Sequence, residues 1–126
     1  MKIKIVDLGV SNINSLHKCV TFLGFDSEIV RNPNNLIDAD KIIFPGVGAF
    51  NNVMKIIEKN KWDQILKKKI IDEKISILGI CLGMQLLCKE SNEHKQKLGL
   101  NFFDNKVQKL SDHIDENKFK IPHIGW

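Results

Sequence analysis

Short apolar runs alternate with amphipathic segments along most of this chain. Each apolar run has the length and β-branched content of a buried strand, and the segments between them repeat apolar residues at helical spacing. Strands that alternate with helices indicate an α/β fold with an open, mostly parallel sheet and helices on both faces. The predicted strands are Lys2–Leu8, Phe25–Val30, Lys41–Phe44 and Ile75–Ile80.

The segments between and after these strands predict helices, loops and turns. Pro45 is expected to stop the third strand, and Ser11 or Asn12 is expected to cap the first helix. Helices are predicted from Leu16 to Leu23, over Phe50–Asn60, over Trp62–Asp72 and over Leu82–Leu87; loops at Asn32–Asn35 and Asn92–Gly99; and short strands between Phe102 and Leu110 with a turn at Asp104–Asn105.

The composition predicts one globular domain over residues 1–126. An apolar fraction of 43% is ordinary for such a domain. No apolar run reaches the roughly 20 residues that cross a bilayer, and the amino terminus lacks a signal-peptide pattern, so a soluble, cytoplasmic protein is expected. The net charge of +4 comes from scattered lysines, with Arg31 the only arginine. This composition argues against a nucleic-acid partner, and Lys67–Lys69 is interpreted as a solvated helix face.

The cysteines predict neither a disulfide framework nor a zinc site, because they are odd in number and form no C-x-x-C pair. Cys19 and Cys88 lie in helical patterns and are predicted as small core residues. The sequence contains no metal-ligand cluster, dinucleotide fingerprint or phosphate-binding loop, so no metal and no cofactor are expected.

Cys81 has a different context, because it follows the last predicted strand with glycine two residues before and two residues after it. This spacing is typical of a nucleophile elbow, a strand-to-helix turn too tight for neighbouring side chains. The helix start near Leu82 offers unpaired N–H groups and favours a thiolate. Leu82 is one candidate oxyanion donor, and the Pro45–Gly48 loop can supply another. Right-handed crossovers place Gly9–Asn12, Pro45–Gly48 and Cys81 on one rim of the sheet.

Segments Val6–Leu16, Pro45–Phe50, Gly79–Leu87 and Pro122–Trp126 form an ordered set of motifs. Together they resemble the class I (triad) glutamine amidotransferases and, more narrowly, the glutaminase subunits of imidazole glycerol phosphate synthases. The first segment departs from the usual D-x-G-x-G-N-x-x-S pattern, because Ser11 stands where glycine is usual. The flavodoxin-like fold that the resemblance implies agrees with the predicted sheet.

The resemblance implies that Cys81 attacks the side-chain amide of glutamine, giving a glutamyl thioester and ammonia, and that water then releases glutamate. Ammonia would pass, within a heterodimer, to a (β/α)8 synthase subunit that makes imidazole glycerol phosphate in histidine biosynthesis. By the same resemblance, Gly46, Val47 and Leu82 match the oxyanion hole; Gly48, Gln85 and Glu93 match substrate-binding positions; and His123, Gly125 and Trp126 match the segment that faces the partner.

The family's triad histidine and glutamate have no counterpart in this sequence, since they belong to a Q-F-H-P-E-like segment beyond the P-H-x-G-W motif. A thiol that cleaves an amide needs a base and an acid. The 126-residue chain is therefore expected to hold only the amino-terminal part of a class I domain, by truncation or as a short paralogue, and to lack full glutaminase activity. The histidines interpreted as surface or structural residues are His17, His94, His113 and His123.

Other hypotheses fit parts of the sequence. Ser11 and the Ile121–Trp126 ending leave open an ammonia-supplying subunit for a sugar amidotransferase in surface-polysaccharide synthesis. A non-catalytic module that docks on a synthase through Trp126 would need no base. An unrelated cysteine hydrolase or redox sensor would explain the elbow but not Pro45–Phe50 or Pro122–Trp126.

Overall fold

Parallel strands form the main sheet, as the apolar pattern predicts. The strands are β1 (Ile3–Val6), β2 (Ser27–Val30), β3 (Lys41–Gly46) and β4 (Ser76–Cys81). They lie in the order β2-β1-β3-β4, and each neighbouring pair is parallel, so the strongly apolar β1 and β3 are central. The computed structural model describes residues 1–115 and residue 118. The residues predicted to face a partner lie outside the described residues: His123, Gly125 and Trp126.

Helices cover both faces of this sheet. Side chains alternate along a strand, so Ile5 and Ile43 point to one face while Val6 and Phe44 point to the other. The first helix packs on the face that carries Ile5 and Ile43, and the later helices pack on the opposite face. The helices are α1 (Ile13–Phe22), α2 (Phe50–Lys59), α3 (Trp62–Lys67), which continues as a π-helical turn over Lys68–Asp72, and α4 (Leu82–Leu86).

A small second sheet follows α4. Its strands are β5 (Cys88–Ser91), β6 (Lys97–Leu98) and β7 (Phe103–Val107), in the order β6-β5-β7. The N–H of Leu100 donates to the Leu86 carbonyl and the N–H of Phe102 donates to the Leu87 carbonyl, both at 2.9 Å. These bonds attach the end of α4 to the segment that leads into β7. The predicted Asn92–Gly99 loop therefore contains a short strand, β6.

Two predicted interruptions of strands are wrong. β3 continues through Pro45 to Gly46 and pairs with β4 as far as Cys81. β1 pairs with β3 only as far as Ile43, so Pro45 lies where one side of β3 has already lost its partner and a missing N–H is tolerated. Asp104–Asn105 lie inside β7 rather than in a turn, at an irregularity of the β5–β7 register between the pairs Cys88–Phe103 and Glu90–Lys106. A bulge of this kind accommodates turn-prone residues within a strand.

The predicted loop Asn32–Asn35 is largely a 3₁₀-helix over Pro33–Leu36. Asn32 caps it, since its side chain accepts a hydrogen bond from the Asn34 N–H at 3.0 Å. Pro33 suits the first helical position, where the missing N–H costs nothing. Polar turn residues thus start a short helix here instead of an irregular loop.

Burial of two side chains contradicts the sequence predictions. Cys19 is exposed rather than part of the core, because the buried stripe of α1 runs through Val20. Lys69, predicted to be solvated with the rest of its lysine run, is buried on the π-helical turn. Its Nζ donates to the Ile37 carbonyl at 2.5 Å and to the Glu73 carboxylate at 2.7 Å. Paired in this way, a lysine can be buried.

A second buried lysine lies in β1. Lys4 Nζ pairs with Glu28 at 2.5 Å and with Asp38 at 2.9 Å, while the exposed Lys2 pairs with Asp38 at 2.7 Å. Burial lowers the pKa of Lys4, but the hydrogen bonds to the two carboxylates outweigh it and leave that pKa raised. The hydrogen bond from Lys2, followed by that from Lys4, holds the pKa of Asp38 well below its usual range.

β4 presents apolar side chains to solvent on the face that α1 covers elsewhere. Leu78 lies beside Ile43 in the register, yet it is 57% exposed, and Ile80 is 37% exposed. Among residues 1–115 and 118, no element covers these two side chains, and β4 is the last strand of the main sheet. The same residues contain no helix with the length and hydrophobicity needed to span a bilayer.

Candidate active site

Cys81 occupies a strained backbone position at the junction of β4 and α4. Its φ of 54° and ψ of −121° lie where side-chain-bearing residues are rarely found. Strain of this kind costs about 1–3 kcal/mol and persists only where the surrounding structure enforces it. The side chain is exposed at the carboxyl end of the strand. The predicted sharp corner between strand and helix is therefore present, with the thiol at its outside.

Glycines let this corner pack against its neighbours. A Cβ on Gly83 would lie 1.7 Å from the Phe44 carbonyl oxygen, and a Cβ on Gly79 would lie 2.6 Å from the Met84 Cα. Non-bonded heavy atoms need about 3.5 Å, so a side chain at either position would force the backbone apart. The close approach of α4 to β3 explains the glycine at position 83, and its close approach to β4 explains the glycine at position 79.

The loop after β3 lies directly beside the elbow. Gly46 is the register partner of Cys81, so the predicted neighbourhood of these segments is confirmed. Leu82 is the first residue of α4, where backbone N–H groups have no acceptor within the helix. The N–H of Val47, however, donates to the Val10 carbonyl at 3.2 Å. In this conformation the Val47 N–H is committed to the loop after β1 and cannot bind an oxyanion.

The loop after β1 shares the same rim, and the Asp7 side chain shapes it. The Asp7 carboxylate accepts hydrogen bonds from the Gly9 N–H at 2.8 Å and from Arg31 Nε at 2.9 Å. An aspartate two residues before a glycine is the pattern of an Asx turn and could have indicated this role. Asp7 thus fixes the loop that presents the Val10 carbonyl.

The prediction that Ser11 or Asn12 caps α1 is wrong. Asn12 is the N-cap residue, but its side chain makes no capping hydrogen bond within the described part of the chain. The Ser11 hydroxyl oxygen is buried and has no hydrogen-bond partner among the described residues. Tertiary contacts of the rim therefore decide the conformation here, rather than the local capping preference of the two residues.

The other predicted substrate-binding residues lie around this centre. Gly48 follows Val47 with a φ of +105°, and Gln85 is half-buried on α4. Glu93 follows β5 and is half-buried, and its own N–H donates to the Ser91 hydroxyl at 3.3 Å. The contact of Glu93 with a substrate stays a prediction.

Histidines and metal ligands contribute little to the described rim. His17 Nδ1 lies 2.8 Å from the hydroxyl of Ser27, which begins β2 at the end of the sheet opposite Cys81. His94 and His113 are exposed. In residues 1–115 and 118, no three His, Cys, Asp or Glu side chains are close enough together to hold a metal ion.

Comparison with known proteins agrees with this arrangement. Residues 4–124 match the family model described as glutamine amidotransferase class-I. A relative from Methanococcus maripaludis, imidazole glycerol phosphate synthase subunit HisH 2, is 42% identical over 98% of this chain and 59% of its own length. The subunit HisH of Listeria welshimeri is 40% identical over 98% of this chain and 58% of its own length. The chain therefore spans less than two thirds of these relatives.

A solved structure supports the fold. The crystal structure of a glutamine amidotransferase superposes with a TM-score of 0.71 over 84% of this chain and 55% of its own length, at 20% identity. The open α/β sheet predicted from the sequence pattern is thereby confirmed.

Proposed function

This chain belongs to the class-I glutamine amidotransferase family, and on that premise we propose that it acts as the glutaminase subunit of an imidazole glycerol phosphate synthase. Relatives of that name at 40% and 42% identity support the assignment. Residues 1–126 are proposed to belong to a single such domain that works in the cytoplasm without a cofactor. The observation that carries the proposal is the exposed thiol of Cys81 on a strained elbow beside Gly46.

Cys81 would act as the nucleophile. Its sulfur attacks the carboxamide carbon of glutamine, and the C=O π electrons move to the oxygen to give a tetrahedral oxyanion. Collapse of this intermediate breaks the C–N bond. Ammonia leaves once the proton given up by the thiol reaches the nitrogen, a transfer that belongs to the family's triad histidine, which has no counterpart in residues 1–126. Water then attacks the thioester carbon, which returns the thiol and releases glutamate. Gly48, Gln85 and Glu93 would hold the substrate's backbone groups.

The oxyanion needs N–H donors that point at it, and Leu82 and the Gly46–Val47 peptide are the candidates. The Val47 N–H is bound to the Val10 carbonyl, so the Gly46–Val47 peptide must rotate before it can donate to the oxyanion. Glycine on both sides of Val47 makes such a rotation sterically easy. The conformation described here is then a resting state with an incomplete oxyanion hole.

Ammonia would be used by a (β/α)8 synthase subunit that forms a heterodimer with this protein. The relatives are named as subunits, which supports a permanent partner. The predicted contact residues are His123, Gly125 and Trp126. A sugar amidotransferase as the ammonia acceptor is distinguished by which partner binds the chain and uses glutamine as its nitrogen source.

Covalent labelling tests the nucleophile. We expect a diazoketone analogue of glutamine, applied to the chain with its synthase partner, to modify Cys81 and to be blocked by excess glutamine. Cys19 is an exposed thiol outside the site and Cys88 is buried, so both serve as internal controls in the mass spectrum. Iodoacetamide should modify both exposed thiols, Cys19 and Cys81, whereas the analogue should modify Cys81 alone.

Matched variants complete this test. Cys81→Ala should abolish the labelling, and Cys19→Ala should leave it unchanged. Equal labelling of the two exposed thiols by the analogue would contradict a glutamine site at Cys81. Binding of the partner without any labelling of Cys81 would instead favour the non-catalytic docking module.

A further inference from the structure

The Ser11 hydroxyl is a buried polar group without an apparent use. Its oxygen is shielded from solvent and has no hydrogen-bond partner among the described residues. An unsatisfied buried hydroxyl costs about 1–3 kcal/mol, and such groups need an explanation. Ser11 also stands where the resembling family usually has glycine, so this hydroxyl is a feature of this chain. The φ of Ser11 is not among the positive values of the described residues, so glycine is not required there.

Ser11 lies next to the group that occupies the oxyanion donor. It follows Val10, whose carbonyl accepts the Val47 N–H at 3.2 Å. Standard bond lengths keep the Ser11 oxygen within about 5 Å of that carbonyl oxygen. The Gly46–Val47 peptide is hydrogen-bonded to the residue before Ser11, which makes its carbonyl the candidate partner for the hydroxyl once the peptide rotates.

Rotation of this peptide changes which group faces the loop. When the Val47 N–H turns toward the substrate, the Gly46 carbonyl turns toward the Val10 carbonyl. Two acceptors then face each other, and one of them lacks a donor. The Ser11 hydroxyl is a rotatable donor, and in the resting state it has no acceptor among residues 1–115 and 118.

We propose that Ser11 is a positioning residue that donates its hydroxyl proton to the Gly46 carbonyl in the rotated state and so stabilises the complete oxyanion hole. In the resting state the hydroxyl has no partner among the described residues, which raises the free energy of that state. The rotated state, in which the hydroxyl is paired, therefore lies closer to it in free energy. This inference rests on the proposed function for its purpose, but the rearrangement itself can be measured without glutamine or a partner.

Amide hydrogen exchange of Val47 measures the rotation directly, because that N–H exchanges when it leaves the Val10 carbonyl. In the ¹⁵N-labelled full chain, Ser11→Ala should slow the exchange of the Val47 amide about five-fold, the effect of losing one ordinary hydrogen bond in the rotated state. Ser11→Thr keeps the hydroxyl and should exchange at the wild-type rate. Ser76→Ala, an exposed serine at the start of β4, is the matched control and should also exchange at the wild-type rate.

Two results of the Val47 exchange measurement would overturn the proposal. If Ser11→Ala leaves the exchange of Val47 unchanged, the hydroxyl does not act in the rotation. If exchange becomes faster, the hydroxyl supports the resting state instead, for example through a bound water. Ser11→Thr controls for a folding defect. If Ser11 had only a structural role, the extra methyl group would disturb it, and the retained hydroxyl would not restore the wild-type exchange rate of Val47.

A second measurement links the rotation to the oxyanion. The aldehyde analogue of glutamine forms a tetrahedral adduct with Cys81, and we expect Ser11→Ala to weaken this adduct about five-fold while leaving the affinity for glutamine itself unchanged in a Cys81→Ala background. Equal weakening of both would contradict the proposal. Slowed Val47 exchange without any labelling of Cys81 by glutamine analogues would refute the proposed function and leave the role of Ser11 in the rotation intact.

Discussion

Replacement of Gly83 by alanine should destabilise the protein strongly, although alanine is the better helix former. The added Cβ would lie 1.7 Å from the Phe44 carbonyl oxygen and 2.7 Å from the Phe44 carbonyl carbon. Normal contact needs about 3.5 Å, so α4 and β3 must separate by about 1.8 Å at this point. The obstacle is backbone in a central strand, which cannot rotate away as a side chain could.

The steric clash and the higher helix propensity of alanine change the free energy of unfolding in opposite directions. Overpacking of a core typically costs about 1–3 kcal/mol, and displacement of a paired strand adds about 1 kcal/mol for each ladder hydrogen bond lost. The higher helix propensity of alanine returns at most about 1 kcal/mol. The clash therefore dominates, and we expect a net loss of about 2–4 kcal/mol in the free energy of unfolding.

Urea unfolding followed by far-UV circular dichroism measures this loss. Gly24→Ala is the matched control, because Gly24 has a φ of +83° but open space where a Cβ would be. It should lose only about 1 kcal/mol from backbone strain. If Gly83→Ala is no less stable than Gly24→Ala, or stays within about 1 kcal/mol of the wild type, the steric argument for the elbow is wrong.

Three further predictions concern other parts of the molecule. The depressed pKa of Asp38 means that its carboxylate stabilises the fold above its unfolded pKa of about 3.9 and loses that effect as the pH falls below it. Asp38→Asn should therefore lower the free energy of unfolding at pH 7 and flatten its acid-induced decline, measured by urea unfolding across pH. The 126-residue chain with its partner should release no glutamate from glutamine above the Cys81→Ala background, because the triad histidine and glutamate have no counterpart in its sequence and the half-buried His17 is paired with Ser27 away from the rim. Leu78→Lys should reduce self-association in sedimentation velocity, since it removes an exposed apolar side chain beside the edge of β4.

Each of these has an outcome that would contradict it. An unchanged acid limb in Asp38→Asn would mean that the Lys2 and Lys4 pairs do not depress the pKa of Asp38 in solution. Glutamate release above background would show that a base exists outside the predicted triad. Ile71→Lys is the control, because Ile71 is an exposed apolar residue on the π-helical turn. Equal self-association of Leu78→Lys and Ile71→Lys would mean that the exposed face of β4 does not mediate the association.

The main sheet and the elbow could be predicted because their signals are local. The central parallel strands β1 and β3 are mostly apolar. A strand that ends at a cysteine with glycine two residues before and two residues after it requires a tight turn for steric reasons. The rim was also predictable, since handed crossovers bring Gly9–Asn12, Pro45–Gly48 and Cys81 to one edge, as the Val10–Val47 bond confirms.

The remaining features depend on contacts between distant residues. Pro45 lies within a strand because β1 ends early, and Lys69 is buried because the Ile37 carbonyl lies within reach of its ammonium group. The uncapped start of α1 and the commitment of the Val47 N–H likewise depend on how two loops meet. The Ile37 carbonyl lies 32 residues before Lys69 and the Val10 carbonyl lies far from Val47 in the sequence, so local patterns do not reveal these partners.

The five-residue α4 could not persist as an isolated helix, because so short a segment cannot repay the cost of nucleation. It is held at one end by the contact of Gly83 with β3 and at the other end by the hydrogen bonds from Leu100 and Phe102. Loss of either contact would let the backbone at Cys81 relax toward an ordinary geometry. The reactivity of the sulfur therefore depends on hydrogen bonds from residues about twenty positions downstream in the chain. Disruption of the small second sheet would lower the reactivity of the thiol without any change at Cys81 itself.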